Sequence, residues 1–415
     1  MIKKFNLPLL LDGSTGAMLI KAGMPFGKCS EEWILNNPTL ILELQQAYVS
    51  AGSNAVMAPT FETNRLKLAS FGLGDKVLDF NKRLVALSRQ AVGKEVLVAG
   101  NMSSLGLFVE PFGETTFDEL YEIYREQAEA LKQAGVDYIA IETIMSLTEA
   151  RAALLAAKET GLPVTVTMTV DKKGKTLCGG DVTACLIILE AMGADAVGLN
   201  CSTGPDIVYE ALKAASPYLH IPLVAKPNAG LPDANKSGAY DITPENFAQY
   251  VSKFLAIGVG FLGGCCGSTP EHIAAMHTAL KKSDYCPLTG DDGIKTQGVR
   301  EFLVADERHT YLINEESIDF LHKISCGPDF ADELIALADE GFMVARILLT
   351  NIEDAREFGM SAYLSTLPVV LFAQEIGALE MALRLYQGRA LIDSKAGLPQ
   401  EQMELMAARY GAVIV

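Results

Sequence analysis

Along most of the chain, short apolar runs rich in β-formers alternate with longer stretches in which apolar positions recur every three or four residues. Eight such runs stand out, at residues 9–12, 55–58, 96–99, 138–141, 164–167, 196–199, 223–226 and 260–263. Helical periodicity falls between and after them, over 39–51, 116–134, 147–160, 183–192, 206–215, 244–257 and 270–281. Eight βα units are the complement of one closed barrel. An open doubly wound sheet is the other way to arrange such units, but no run is followed by G-x-G-x-x-G. The pattern therefore predicts an α/β chain whose residues 1–282 form a (β/α)8 TIM barrel. In that fold the chemistry sits where the strands end at their C-termini. The residues closing the runs here are polar or sulfur-bearing: Asp12, Thr60, Asn101, Glu142, Cys201, Asn228, Cys265 and Cys266.

Residues 283–297 are polar and contain glycine, which predicts a linker. The remaining 298–415 read as a small α/β domain, with strands at 310–313, 344–349, 367–372, 390–393 and 412–415 and helices near 330–340, 379–386 and 400–409. A chain ending on an apolar Val-Ile-Val strand needs a neighbour for it: either the sequence is cropped at Val415 or a partner completes the sheet.

Composition narrows the classes. With 49% hydrophobic and 20% charged residues, the chain can bury real cores, and disorder is excluded. Its net charge of −17 repels a phosphate backbone, which argues against nucleic acid as a partner. Neither a secretory leader nor an apolar run of about 18 residues is present, so the sequence reads as cytoplasmic with no membrane segment. The 8 cysteines are too sparse for a disulfide scaffold, which leaves thiols or metal ligation.

Cys201 closes the sixth run and Cys265-Cys266 the eighth, so all three belong at the barrel mouth. Adjacent side chains on a strand point to opposite faces, and two neighbouring cysteines share a site only where the strand breaks into a turn. Gly263, Gly264 and Gly267 allow that turn. Three thiolates around Zn2+ with an open position make a catalytic rather than a structural zinc. A substrate thiol entering the open position would lose its proton yet stay electron-rich, which suits thiol alkylation better than hydrolysis. The alternatives for the trio are buried thiols or a vicinal Cys265-Cys266 disulfide in a structural or redox barrel.

Those cysteines stand in Gly198-Leu199-Asn200-Cys201 and Gly263-Gly264-Cys265-Cys266-Gly267. Further marks are Leu11-Asp12-Gly13-Ser14-Thr15-Gly16, Thr60-Phe61-Glu62-Thr63-Asn64, Glu142-Thr143 and Pro227-Asn228-Ala229-Gly230-Leu231-Pro232. Together they make residues from about 5 to 282 resemble the zinc-dependent homocysteine S-methyltransferases, a family that includes the homocysteine-binding module of cobalamin-dependent methionine synthase. The resemblance implies that Cys201, Cys265 and Cys266 bind Zn2+ and that Glu142 holds the ammonium of homocysteine. It also implies that Asp12 and Gly13 shape the same pocket, that Thr60 supplies a pocket hydroxyl, and that Asn228 sits near the open metal position. Ala58-Pro59 departs from the Thr-Asn often found there.

The segment from Ala378 to Tyr386, with Gly388 to Ser394 and Tyr410-Gly411-Ala412 after it, resembles about half of a pterin-binding barrel. Asp393 replaces the usual Asn, so folate binding is not expected. The resemblance implies a methyltransferase that makes methionine from homocysteine, with methylcobalamin supplied by another domain or a corrinoid-binding protein. The rivals are S-methylmethionine or S-adenosylmethionine as donor, and a non-catalytic homocysteine- and zinc-binding subunit of a corrinoid system.

Overall fold

The structure is a computed structural model that describes residues 5–233, 239–288, 301–318 and 322–415. It divides into two compact units: Met1–Leu107, Asp118–Cys178 and Ala194–Thr289 form the first, and Phe108–Phe117, Gly179–Gly193 and Gly290–Val415 the second. Of the expected linker, residues 289–297 lie outside the described part.

The first unit is built on a sheet of 8 strands, all adjacent pairs parallel. These are β1 (Leu9–Leu10), β2 (Ala55–Met57), β3 (Leu97–Ser103), β4 (Tyr138–Ile144), β5 (Val164–Met168), β6 (Ala196–Cys201), β7 (Leu223–Pro227) and β8 (Val259–Leu262). Their order, β1-β8-β7-β6-β5-β4-β3-β2, is that of the predicted barrel. One backbone bond and two backbone-to-side-chain bonds help to draw β1 and β2 together. Asn54 N–H donates to Leu10 O at 2.8 Å, Leu10 N–H to Asn54 Oδ1 at 2.8 Å, and Met57 N–H to Asp12 Oδ2 at 2.8 Å.

Strand parity decides what fills the interior. Leu9 and Leu11, Ala55 and Met57, Ala99, Tyr138 and Ala140, Ala196, Val224 and Phe261 pack into one buried cluster. Two residues further along the same faces lie Asn101, Glu142 and Lys226, and Asn200 keeps the parity of Ala196. The apolar layers thus give way to a buried polar layer near the strands' C-terminal ends.

The predicted helices are present with shifted ends, and the expected single helix at 244–257 is two, Pro244–Ala248 and Val251–Ala256. A further helix, Val77–Val92, follows β2, and an antiparallel pair, Pro232–Asp233 with Ala239–Tyr240, follows β7. Among the described residues, no helix is long and apolar enough to cross a membrane.

In the second unit, β9 (Glu301–Asp306), β10 (Thr310–Asn314), β11 (Ile324–Ser325), β12 (Ala345–Leu349), β13 (Val369–Ala373), β14 (Gly388–Arg389), β15 (Leu391–Ile392) and β16 (Val413–Ile414) form two sheets. One is antiparallel, in the order β10-β9-β14, and the other is parallel, in the sequential order β11-β12-β13-β15-β16. Val413–Ile414 pairs with β15, so the apolar C-terminal strand has a neighbour within its own chain. Asp393, fully buried, accepts a hydrogen bond from the Arg346 guanidinium. The helix Val182–Ala191, which follows β5 in sequence, groups with this unit, where Asp181 N–H donates to Glu307 O at 2.8 Å.

Candidate metal and thiol site

Cys201 ends β6, and Cys265 and Cys266 occupy the turn that follows β8. Their sulfurs all lie within 4.8 Å of one another, with Cys201 Sγ and Cys266 Sγ 3.9 Å apart. That separation matches the edge of about 3.8 Å expected for sulfurs set about 2.3 Å from a tetrahedral metal centre. The donor set therefore fits Zn2+. All three cysteines are free thiols and half-buried. The bond to Cys265, with burial, pushes the Cys201 thiol up to about 11. At Cys265 the bond to Cys201 works downward but is outweighed by Cys266 and burial, taking it up to about 12. A dication among them reverses this balance, so metal binding must release protons.

Backbone geometry explains how the sulfurs meet. Cys201 and Ser202 adopt left-handed φ of 58° and 57°, and Thr143 does so at 62°. Non-glycine residues rarely occupy this region, and where they do the surroundings hold them there. Ser202 is held by its N–H donating to Thr169 Oγ1 at 3.1 Å and its Oγ accepting from Val170 N–H at 2.9 Å, and Thr143 is held by Asn200. Its Oδ1 accepts from Thr143 N–H at 2.7 Å and Thr167 Oγ1–H at 2.8 Å, while Nδ2 donates to Thr143 Oγ1 at 2.7 Å and lies 3.9 Å from Cys265 Sγ. Cys265 N–H donates to Pro227 O at 2.8 Å and Cys266 N–H to Asn228 Oδ1 at 3.0 Å, fixing the turn to the end of β7. Tyr240 lies against Gly267, whose φ of +78° and close ring contact leave no room for a side chain.

Beside the sulfurs lies the polar layer. The register between β4 and β5 shifts between Ile141 and Ile144, just past Glu142 and where Thr143 takes its left-handed φ. Glu142 Oε1 is 2.6 Å from Lys226 Nζ, and Glu142 Oε2 accepts from Asn101 Nδ2 at 3.0 Å. Burial opposes the charge on Lys226, but Glu142, Asp12 and Cys265 outweigh it and hold its pKa above the ordinary lysine value. Asp12, 1% exposed, uses Oδ2 for Met57 N–H, and its Oδ1 has no hydrogen-bond partner among the described residues. Burial pushes its carboxyl up to about 7, against the pull of Lys226.

Gly13 stands under the cysteine turn, where an added Cβ would meet Ser268 Oγ at 2.8 Å and the Tyr48 ring at 2.9 Å. Thr60 is fully buried, and its hydroxyl both donates to Asn101 O and accepts from Asn101 N–H, each at 2.9 Å, a clamp between the ends of β2 and β3. His272 is packed as a helix cap, bonded to Thr269 and to Ile242 O. The strand-end residues singled out from the sequence leave out Asn200, Thr167 and Lys226. Their inward parity within β5, β6 and β7 is the signal that finds them.

The fold is thus a parallel eight-stranded barrel with three converging sulfurs and buried carboxylates at its mouth. A match to the homocysteine S-methyltransferase family spans residues 9–280, and the chain belongs to that family. It is 27% identical over 458 aligned positions to methionine synthase of Mycobacterium leprae, covering 97% of this chain. Against methionine synthase of Mycobacterium tuberculosis it is 26% identical, covering 92% of this chain. The chain spans only 37% and 35% of the lengths of these relatives. Among solved structures, the homocysteine methyltransferase MmuM from Escherichia coli, in its oxidised and metallated forms, shares the fold with a TM-score of 0.56 at 23% identity. The match covers 67% of this chain and 97% and 98% of MmuM in the two forms.

Proposed function

We propose that the chain methylates the thiol of homocysteine to give methionine, with Cys201, Cys265 and Cys266 holding a Zn2+ ion. The observation that carries this reading is the convergence of three sulfurs within 4.8 Å beside the buried carboxylates of Asp12 and Glu142. Held by these three cysteines, a Zn2+ ion would lower the pKa of a fourth sulfur ligand, which would keep a substrate thiol as thiolate near neutral pH.

The chain's own residues bind and orient. Asn200 and Asn228 help to keep the cysteines at their strand ends, and the carboxylates of Asp12 and Glu142 together supply the negative charge that holds the amino-acid end of the substrate. Gly13 and Thr60 shape the pocket wall. With both ends held, the substrate sulfur would attack the donor methyl in line, the new S–C bond forming as the methyl's bond to its carrier breaks and leaves its electron pair on the carrier, so positioning supplies much of the acceleration.

The donor in this reading is methylcobalamin, carried by another domain or a corrinoid-binding protein. It rests on an alignment to methionine synthases along nearly the whole chain, only a part of each relative's length. The test is metal content of the purified protein, then homocysteine titration with proton release, then methionine formation from methylcobalamin, S-methylmethionine and S-adenosylmethionine. About one zinc per chain and a proton released on binding are expected, and Cys265→Ala should lose the metal. Methionine from methylcobalamin alone supports the donor. A chain that binds zinc and homocysteine but forms methionine from no donor is a binding subunit. One that cannot be loaded with zinc under reducing conditions overturns the reading.

A further inference from the structure

Glu142 already carries an ammonium, and it belongs to the protein. Lys226 leaves β7 on the inward face, its Nζ 2.6 Å from Glu142 Oε1, and both side chains are buried. Asn101 Nδ2 occupies the other oxygen at 3.0 Å. The charge on Glu142 is therefore balanced inside the barrel, and both of its oxygens are engaged.

Asp12 differs. Met57 N–H holds Oδ2 at 2.8 Å, yet Oδ1 is buried with no hydrogen-bond partner among the described residues. Buried acceptors are almost always satisfied, so an orphan lining a ligand site marks where a ligand donor fits. Asp12 and Lys226 flank Gly263, where an added Cβ would meet Asp12 O at 2.9 Å and Lys226 Cγ at 3.3 Å, so with Glu142 they form one charge group. With Asp12 ionised, two carboxylates and one ammonium leave a single uncompensated negative charge, the complement of one substrate ammonium.

We infer that Lys226 is a specificity-determining residue: it consumes the charge of Glu142, so that an amino-acid thiol is recognised through Asp12 and the single net negative charge of the trio. The inference rests on the proposed homocysteine reading and assigns which carboxylate in that site reads the ammonium. If Glu142 alone reads it, Lys226 is incidental. If the net charge reads it, neutralising Glu142 strands a buried cation against the incoming ammonium, and removing that cation repairs the damage.

The experiment uses the zinc-loaded full chain and titration calorimetry with two thiols, homocysteine and 4-mercaptobutyrate, which has the same carbon chain and carboxylate but no amino group. The readout is the ratio of the two affinities, which a general loosening of the pocket does not move selectively. Glu142→Gln should cut the preference for homocysteine by roughly tenfold or more, since an unpaired buried charge then opposes the ligand. The double variant Glu142→Gln/Lys226→Met should restore it to within about threefold of the parent, because the net charge is again that of Asp12 alone. Asp12→Asn should abolish the preference in both backgrounds.

A double variant as indiscriminate as Glu142→Gln overturns the inference, and so does a preference that survives Asp12→Asn. Should Glu142→Gln fail to fold around an unpaired lysine, the double variant, which replaces the ion pair by neutral groups of similar shape, decides alone: preference kept supports the inference, preference lost overturns it. A parent that binds zinc but not homocysteine overturns the functional reading and this inference together. A parent that binds homocysteine beside an unresponsive set of variants overturns the inference only.

Discussion

Asp12 shows what the site costs the fold. Burial raises its carboxyl from 3.8 to about 7, so the folded chain keeps a proton there through a range in which the unfolded chain has lost it. The stability this contributes is full below the unfolded value and is lost as the pH climbs from about 4 to about 7. Asparagine keeps an oxygen for Met57 N–H and never ionises. Asp12→Asn should therefore stabilise the substrate-free protein at pH 8, on the order of a few kcal/mol, and the advantage should shrink toward pH 5. Urea melts at the two pH values check this, and a variant no more stable than the parent at pH 8 contradicts it. Asn200 has the opposite sign. Truncation to alanine removes acceptors from Thr143 N–H and the Thr167 hydroxyl and releases a left-handed Thr143. We expect a loss of about 2–4 kcal/mol at every pH in that range.

Among the elements, the turn after β8 decides the metal site, and neighbouring strand ends grip it. Gly264 N–H reaches Asp12 O at 3.1 Å, Ser14 N–H reaches Ser268 Oγ at 3.2 Å, and Ser268 Oγ–H closes the turn on Cys265 O at 2.7 Å. Gly13→Val inserts atoms where Ser268 and Tyr48 stand, and Tyr48 is locked by its bond to Ser14 O at 2.8 Å. The turn is the part that moves. Zinc affinity, measured by chelator competition, should fall by about tenfold or more, since supporting residues tune metal sites on that scale. Unchanged affinity would show that the turn holds itself. The barrel strands were legible because each is an apolar run bounded by turns, and the sulfurs because strand ends in this fold converge. Lys226 was not legible as a site residue, because a lysine closing an apolar run reads as a strand's solvated end. Only its inward parity with Val224 places it beside Glu142. The hairpin strand Glu301–Asp306 escaped notice because its apolar core is short and flanked by acids, and its partners lie downstream at Thr310–Asn314 and Gly388–Arg389. The helix Ile352–Ser361 was missed for a similar reason: only Ala355 and Phe358 are buried in it.

At the scale of the molecule, the two units are interleaved in sequence, and one helix makes that consequential. Val182–Ala191 is apolar around most of its circumference, with Val182, Ala184, Cys185, Leu186, Ile187, Ile188 and Leu189 all buried and only Thr183 and Glu190 forming a polar stripe. A helix of that kind needs cover on all but one narrow face. It lies between β5 and β6 in the chain but groups with the segment beyond residue 290, where β9 forms the hairpin next to it in the same unit. The barrel's sequence therefore does not end its dependence on the rest of the chain where its last helix, Pro270–Leu280, ends. A fragment of residues 1–288 would keep every sulfur and carboxylate of the site and still lose cover from this helix. Such a fragment should bind anilinonaphthalene sulfonate, melt below the intact protein and associate at micromolar concentration, because a contiguous apolar surface becomes exposed. Co-expression with residues 289–415 should reverse all three effects. A fragment that stays monomeric, binds no dye and melts with the intact chain would show that the helix is covered without the second unit.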